Sequence, residues 1–330
     1  MSSRVDAEHP LLAIVEGLRR VVELRLKDQS TARVRVIVMD LEKITQFTAT
    51  SLSNLIDLED TLGLVGDTPP LASWAFRGQP RTYGTLAPSF KRVFGDRRSV
   101  RTAHIIESNL TAAFRRHYMT LQERTPKMPQ PSAIGQGFDL RCLSVMQHYG
   151  VPTRLLDWTS NLWYAVYFAC VGDPNDDAEL WFYDRNIFNR QEDWLKGLGS
   201  LRKTSAWEVP QAEPQILSSQ GLSLVFEIDP RITPRMTTQL AHHTVSTDVF
   251  ADHAELIFRL FEEHPYGGHD IDGHDVDGLR RIVIAKSCKE KALKFLDEQR
   301  GITASTIFPD VEGLGRFLRW QLDSLLTTLL

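Results

Sequence analysis

The chain has 330 residues, 42% of them hydrophobic and 24% charged, and its net charge is −4. That length suits one large core or two modest ones, and the composition is that of a globular chain rather than a disordered or fibrous one. The negative balance excludes a global basic field for nucleic acid, although 38 Lys and Arg leave room for a local basic groove.

Residues 10–28 carry Leu11, Ile14, Val15, Leu18, Val22 and Leu26 at helical spacing, with Pro10 before them and Asp28 and Ser30 after. VRVIVMDLE (34–42) reads as a strand. ITQFTATSLSNLIDLEDTLGL (44–64) reads as a strand end and a helix that Ser51 or Ser53 can cap. After the DTPP turn, SWAFRGQP (73–80) is a short apolar strand running into a turn. Residues 97–124 form a long helix rich in Arg, His and Glu, and TPKMPQPSAIGQG (125–137) is a Pro/Gly loop. DLRCLSVMQHYG (139–150) is a helix with Leu143, Met146 and Tyr149 on one side, stopped by Gly150 and Pro152. A polar loop leads from it to the very apolar helix NLWYAVYFACVG (161–172). AELWFYD (178–184) is a strand, 185–220 is irregular, and SLVFEIDP (223–230) is a further strand. DVFADHAELIFRLFEE (248–263) joins a strand to helical character. LRRIVIAK (279–286) is a strand, KEKALKFLDEQRG (289–301) an amphipathic helix ending at Gly301, and VEGLGRFLRWQLDSLLTTLL (311–330) the last helix.

Helices and strands mix without regular alternation, which predicts an α+β fold rather than a doubly wound sheet. No Gly-rich turn of the dinucleotide or P-loop type occurs. Cys142, Cys170 and Cys288 lie far apart and are odd in number, so neither a metal motif nor a disulfide framework is expected. No apolar run reaches the roughly 18 residues of a membrane span, and the first twenty residues lack a signal-peptide pattern. The expectation is a cytoplasmic protein with no membrane partner. GHDIDGHDVDG (268–278) repeats His and Asp, which suit a divalent cation. Its spacing fits no calcium loop, and it reads as a solvated insertion near 264–278; a metal-dependent hydrolase using it is the weakest functional reading, and no metal ligand is assigned.

Two stretches carry candidate chemistry. FRGQ (76–79) puts Arg77 at the end of an apolar strand, where its planar fork suits two-point contact with a phosphate; a structural ion pair is the alternative. QHYGVPTRLLDWT (147–159) holds His148, Tyr149, Arg154, Asp157 and Trp158 in a Pro-stiffened loop between two packed helices. Arg154 and Asp157 can pair with each other, and Asp157 or Ser160 can cap the apolar helix instead of binding anything. The aromatics at Trp163, Tyr164 and Phe168 read as core packing rather than a stacking platform.

FRGQ, QHYGVPTRLLDWTSNLWYAVYFAC, RIVIAK and GITASTIFPDVEGLGRFL, in this order, resemble the successive motifs of the FRG domain family, named for its Phe-Arg-Gly segment. RMTTQLAHHT is similar to the family's Arg-then-Gln segment through Arg235 and Gln239, but departs after the Gln; Ser160-Asn161-Leu162 stands where Asn-Pro is usual. The resemblance runs from about residue 50 to 320. It implies a helix–strand extension over 1–45 and an FRG domain over 46–330.

The FRG domain is in turn distantly similar to the ADP-ribosyltransferase fold, which implies split antiparallel or mixed sheets with surrounding helices. It also implies NAD as substrate and an NAD-dependent transferase or NAD-consuming enzyme, with a bacterial toxin or phage-defence effector as the fold-level analogy. On that resemblance Arg77, His148 and Glu312 are the catalytic candidates, with Asp310 and Glu255 as alternative acids, because Ala241 stands where the related enzymes carry theirs. Arg77, Gly78, Gln79, His148, Tyr149, Arg154, Asp157, Trp158, Thr159 and Gln239 are the expected cofactor-binding residues. The acceptor is a protein, a nucleic acid or water, and the N-terminal extension is a candidate contact for a partner or a second copy. A non-catalytic nucleotide- or nucleic-acid-binding module is the competing expectation.

Overall fold

The computed structural model describes residues 39, 41–63, 74–95, 100–121, 140–189, 224–229, 233–263, 270–271, 274–275 and 278–329. The expected helix over 10–28 and most of the expected strand over 34–42 lie outside these residues. In chain order the elements are α1 (Leu41–Ile44), β1 (Thr45–Ala49), α2 (Leu52–Thr61), β2 (Trp74–Gln79), α3 (Ser89–Phe94), α4 (Val100–Met119), α5 (Leu140–His148), β3 (Leu155–Thr159), α6 (Leu162–Cys170), β4 (Ala178–Asp184), β5 (Val225–Ile228), α7 (Pro234–Thr238), β6 (Ala241–Ser246), α8 (His253–Glu263), β7 (Asp270–Ile271), β8 (His274–Asp275), β9 (Arg280–Ile284), α9 (Lys286–Arg300), α10 (Ala304–Ile307) and α11 (Val311–Leu329). No helix among the described residues is long and apolar enough to cross a membrane.

The fold is α+β. One seven-stranded sheet runs in the order β1-β9-β4-β2-β3-β6-β5, and β7 and β8 pair separately. β1 and β9 are parallel, and the other neighbours are antiparallel. Instead of the expected split sheets there is a single sheet pinched at its middle. β2 pairs with β4 from Trp74↔Asp184 to Gln79↔Glu179, but meets β3 at Phe76↔Thr159 alone.

The pleat sorts side chains onto two faces. On one, Phe76, Leu180, Phe182 and Ile282 pack under α6 in a cluster that includes Leu55 of α2 and Leu296 of α9, while Leu155, Val245 and Ile228 pack against Leu143 and Met146 of α5. On the other, Ala75, Leu156, Trp158, Trp181 and Tyr183 meet Ile257 and Leu260 of α8. The Asn161 side chain caps α6, accepting from the backbone N–H groups of Trp163 and Tyr164 at 2.9 and 3.1 Å. Asp157 and Ser160, the expected caps, sit on or just after β3.

Two local expectations change, and one stretch without an assigned element proves to be a strand. Residues 155–159 are a strand, not a loop: Leu155, Asp157 and Thr159 face one side, Leu156 and Trp158 the other, a period-two pattern masked by the preceding Pro152. AHHTVS is a fully buried strand that its paired histidines disguised. Residues 253–263 are helical, with turns and no strand before them.

Gly78 lies within β2 rather than at a turn. A Cβ there would stand 1.9 Å from the Ala165 carbonyl oxygen and 2.6 Å from the Ala169 nitrogen, so the glycine lets the α6 backbone rest on the strand. We expect Gly78→Ala to lower the unfolding free energy by about 3 kcal/mol or more, because backbone rather than a flexible side chain must move. A urea midpoint equal to the wild type's would contradict this packing.

Candidate functional site: a carboxylate at the pinched strand pair

Where β2 and β3 part, polar side chains from four elements converge. Asp157 of β3 has His243 of β6 as its register partner, so both side chains leave the sheet on the same face. His243 Nδ1 lies 2.9 Å from Asp157 Oδ1. From α5, Gln147 Nε2 donates to Asp157 Oδ2 and to the Leu155 carbonyl, each at 3.2 Å. The Thr153 hydroxyl donates to Gln147 Oε1 and so fixes the amide's orientation. Arg77 departs on the opposite face, beside Ala75, and its Nη1 reaches across the gap to donate to the Asp157 carbonyl oxygen at 2.7 Å.

These contacts set the charge states. Loss of water pushes the Asp157 carboxyl up, but the His243 ring outweighs it with help from Arg77 and Gln147, and the carboxyl titrates at about 2. Its side chain is 53% exposed, so a fixed anion faces open space. Burial pushes the Arg77 guanidinium down to about 10, with Asp157 opposing and Arg92 adding to the fall; it remains a cation at neutral pH. Arg77 Nε is buried without a partner, as is His243 Nε2.

Beside this carboxylate stand an imidazole and a second arginine. His148 closes α5, with Gly150 at φ +77 turning the chain away. Its ring meets Tyr149 edge-on, centroids 4.8 Å apart, and Tyr149 packs at 5.9 Å on Tyr118. Burial lowers the His148 pKa, Arg235 lowers it further, and Asp310 and Asp157 oppose them. His148 is therefore neutral at pH 7. Arg235, half-buried on α7, lies 4.2 Å above the Phe308 ring. Burial lowers its pKa too, against Asp310 and Glu312.

The chain leaves α7 through a strained bend. Leu240 holds φ at 48°, a left-handed value rare for a side-chain-bearing residue. Thr159 Oγ1 donates to the Gln239 carbonyl at 2.8 Å, Ser160 N donates to the Leu240 carbonyl at 3.2 Å, and Gln239 Nε2 donates to the Ile307 carbonyl at 3.3 Å. The first two bonds fasten the exit of α7 to the end of β3, and the third ties it to α10.

Of the residues expected from sequence, Arg77, His148 and Asp157 come together here, with Tyr149, Thr159 and Gln239 at the margins. Others are turned elsewhere. Gly78 is packed on α6. Gln79 is buried, donating to Thr85 O at 3.0 Å and to Glu179 Oε2 at 3.1 Å. Trp158 points into the core, donating from Nε1 to Thr244 Oγ1 at 2.9 Å. Arg154 is fully buried and pairs with Glu107 of α4, not with Asp157; its Nη1 donates to Ser246 O and Thr247 O at 3.2 and 3.3 Å. Its Nη2 stands 2.9 Å from His104 Nδ1, whose imidazole burial and Arg154 together hold down at about 4. Glu312, on the first turn of α11, is exposed and paired with Arg316. Glu255 is on α8. Sequence reasoning passed over Gln147 and His243, and left Arg235 as a motif letter. The alternation in AHHTVS was the available signal for His243. Among the described residues no group of three metal-ligating side chains converges; in the GHDIDGHDVDG stretch, Asp270 pairs with Asp275 and Ile271 with His274 in antiparallel register.

The depressed carboxyl has a stability signature. A lowered pKa contributes stability that is fully present above the group's ordinary value of 3.8 and is lost as pH falls through about 2. We expect the difference in unfolding free energy between wild type and Asp157→Asn to be flat above about pH 5 and to shrink steadily towards pH 2. A constant difference across that range would mean that the contacts around Asp157 do not favour its ionised form.

No curated protein and no solved structure matches the chain. Residues 72–178 match the family model described as the FRG domain. The matched span is narrower than the order of motifs implied, yet it holds both sides of the pinched pair, Phe76-Arg77-Gly78 and the whole of 147–159. Over residues 72–178 the chain is similar to the FRG domain.

Proposed function

We propose that the chain is an NAD-consuming enzyme of ADP-ribosyltransferase-like build, with Asp157 as the anion that steadies the reacting sugar. One observation carries the reading: a half-exposed carboxylate held ionised by His243, Arg77 and Gln147, next to a neutral imidazole and a half-buried guanidinium. The pinched sheet, with its strands parting beside a family arginine, supports the fold-level part. A toxin or phage-defence role follows from that analogy alone.

In this reading Arg235 takes the diphosphate in two-point contact. The bond between nicotinamide nitrogen and ribose carbon breaks, and its electron pair leaves with nicotinamide. The positive charge left on the ribose faces Asp157, whose ionised state needs no adjustment during the step. Water or an acceptor hydroxyl then adds to that carbon and gives its proton to His148. Arg77 acts through the Asp157 carbonyl, as a positioning residue. Glu312, exposed and committed to Arg316, has no part in the step.

The competing reading is a nucleotide-binding module without chemistry. It is favoured by the fact that Gln147 and Arg77 also tie α5 and β2 to β3, a purely structural service. Incubating the full chain with NAD and following free nicotinamide and ADP-ribose by mass spectrometry separates the two. We expect nicotinamide release that falls about 100-fold or more in Asp157→Asn and stays near wild type in Glu312→Gln. A rise in Tm with NAD but no nicotinamide selects the binding module, and neither effect ends both readings.

The proton acceptor adds a pH criterion. Because the His148 pKa is lowered from its ordinary 6.5, the imidazole is more than half neutral at that pH. We expect kcat/KM to fall towards low pH with a midpoint below 6.5, the fall being absent in His148→Asn. A limb centred above pH 6.5 would point to another base.

A further inference from the structure

A cavity of about 460 Å³ lies among α6, α9, α10 and α11, and Asp157, His243, Gln147, Arg77, His148 and Arg235 are not among its lining residues. Five rings wall it: Tyr167 and Phe168 of α6, Phe308 after α10, and Phe317 and Trp320 of α11. Its volume falls within the range of about 300–1,000 Å³ usual for small-molecule sites. Its charges cancel. Arg316 lies on the lining but is paired with Glu312 and sits 4.7 Å over the Phe308 ring, and Asp297 of α9 supplies the opposite sign.

We infer that this cavity is a binding site for a neutral, planar, ring-bearing small molecule. Rings lining an apolar cavity favour contact with another ring, stacked or edge-on. A ligand with net charge of either sign would meet one like charge on the lining and would lose its water to an apolar interior. A volume of about 460 Å³ is that of a site for one small molecule, and the occupant inferred is such a molecule rather than a protein segment. The site does not depend on the proposed reaction. It does share Phe308 with that neighbourhood, since Arg235 rests on the same ring.

The test titrates the full chain with Nile red, a neutral planar dye. We expect saturable fluorescence with one site per chain. Val171 lines the cavity and is 47% exposed, so Val171→Trp fills the mouth without touching the core. It should weaken the dye by about tenfold or more with Tm unchanged, a loss near 1.4 kcal/mol in binding. Leu293→Phe, on the α9 wall, should do the same and covers the case in which the first variant misfolds. The double change Leu318→Gln and Leu322→Gln removes exposed apolar side chains of α11 outside the cavity and should leave affinity within about twofold. Non-saturable binding, full affinity in the filled variants, or loss of dye in the α11 double variant would each overturn the assignment. So would a dimer in light scattering that Val171→Trp abolishes, because a second copy would then occupy the cavity.

Discussion

β2 and β3 touch at one residue pair, Phe76 with Thr159, and the polar centre of the molecule is organised around the opening beyond it. A strand that parts from its neighbour exposes backbone groups that must find partners. Arg77 meets part of that demand by donating across the gap to the Asp157 carbonyl. The same opening leaves the Asp157 side chain room to face outward while His243 and Gln147 hold it from behind. Had β2 and β3 zipped together along their length, the carboxylate would stand on a closed surface and the guanidinium would have no backbone to grip.

The three letters of the family segment accordingly do three unlike jobs. Phe76 is core and supplies the bridging pair. Arg77 spans the gap. Gly78 gives the α6 backbone its resting place on the strand, and α6 in turn starts at the Asn161 cap immediately after Thr159 and Ser160. Packing, polar bridging and helix placement are thus tied within three consecutive positions, so a change at any one of them moves the other two.

Much of this architecture was legible in the sequence because it rests on local pattern. The apolar run Leu162–Cys170, the strands at 178–184 and 280–284 and the helix ending at Gly301 all follow from periodicity and stop signals. What sequence could not supply was register. Trp158 and Thr244 are 86 positions apart, and only their strand pairing shows that Asp157 has a histidine opposite it rather than a solvated arginine three residues away. Without register, Asp157 reads as a helix cap or an Arg154 partner, and the search for an acid drifts to Glu312, conspicuous because it follows a conspicuous motif. Arg154 misled for the same reason: a charged residue in a polar stretch looks exposed until Glu107, 47 positions away in sequence, is brought against it.

The outermost parallel pair also bears on how the molecule comes into being. Arg281 Nε donates to Thr45 Oγ1 across 236 positions of sequence, so β1 emerges from the ribosome long before the strand it must lie beside. Gln79 and Glu179, on the central pair β2 and β4, are separated by 100. Contacts this distant close slowly, because the entropy of the intervening chain is lost before the pairing compensates. During synthesis the early strands wait with unpaired edges, and the sheet can be completed at that side only once β9 has been made.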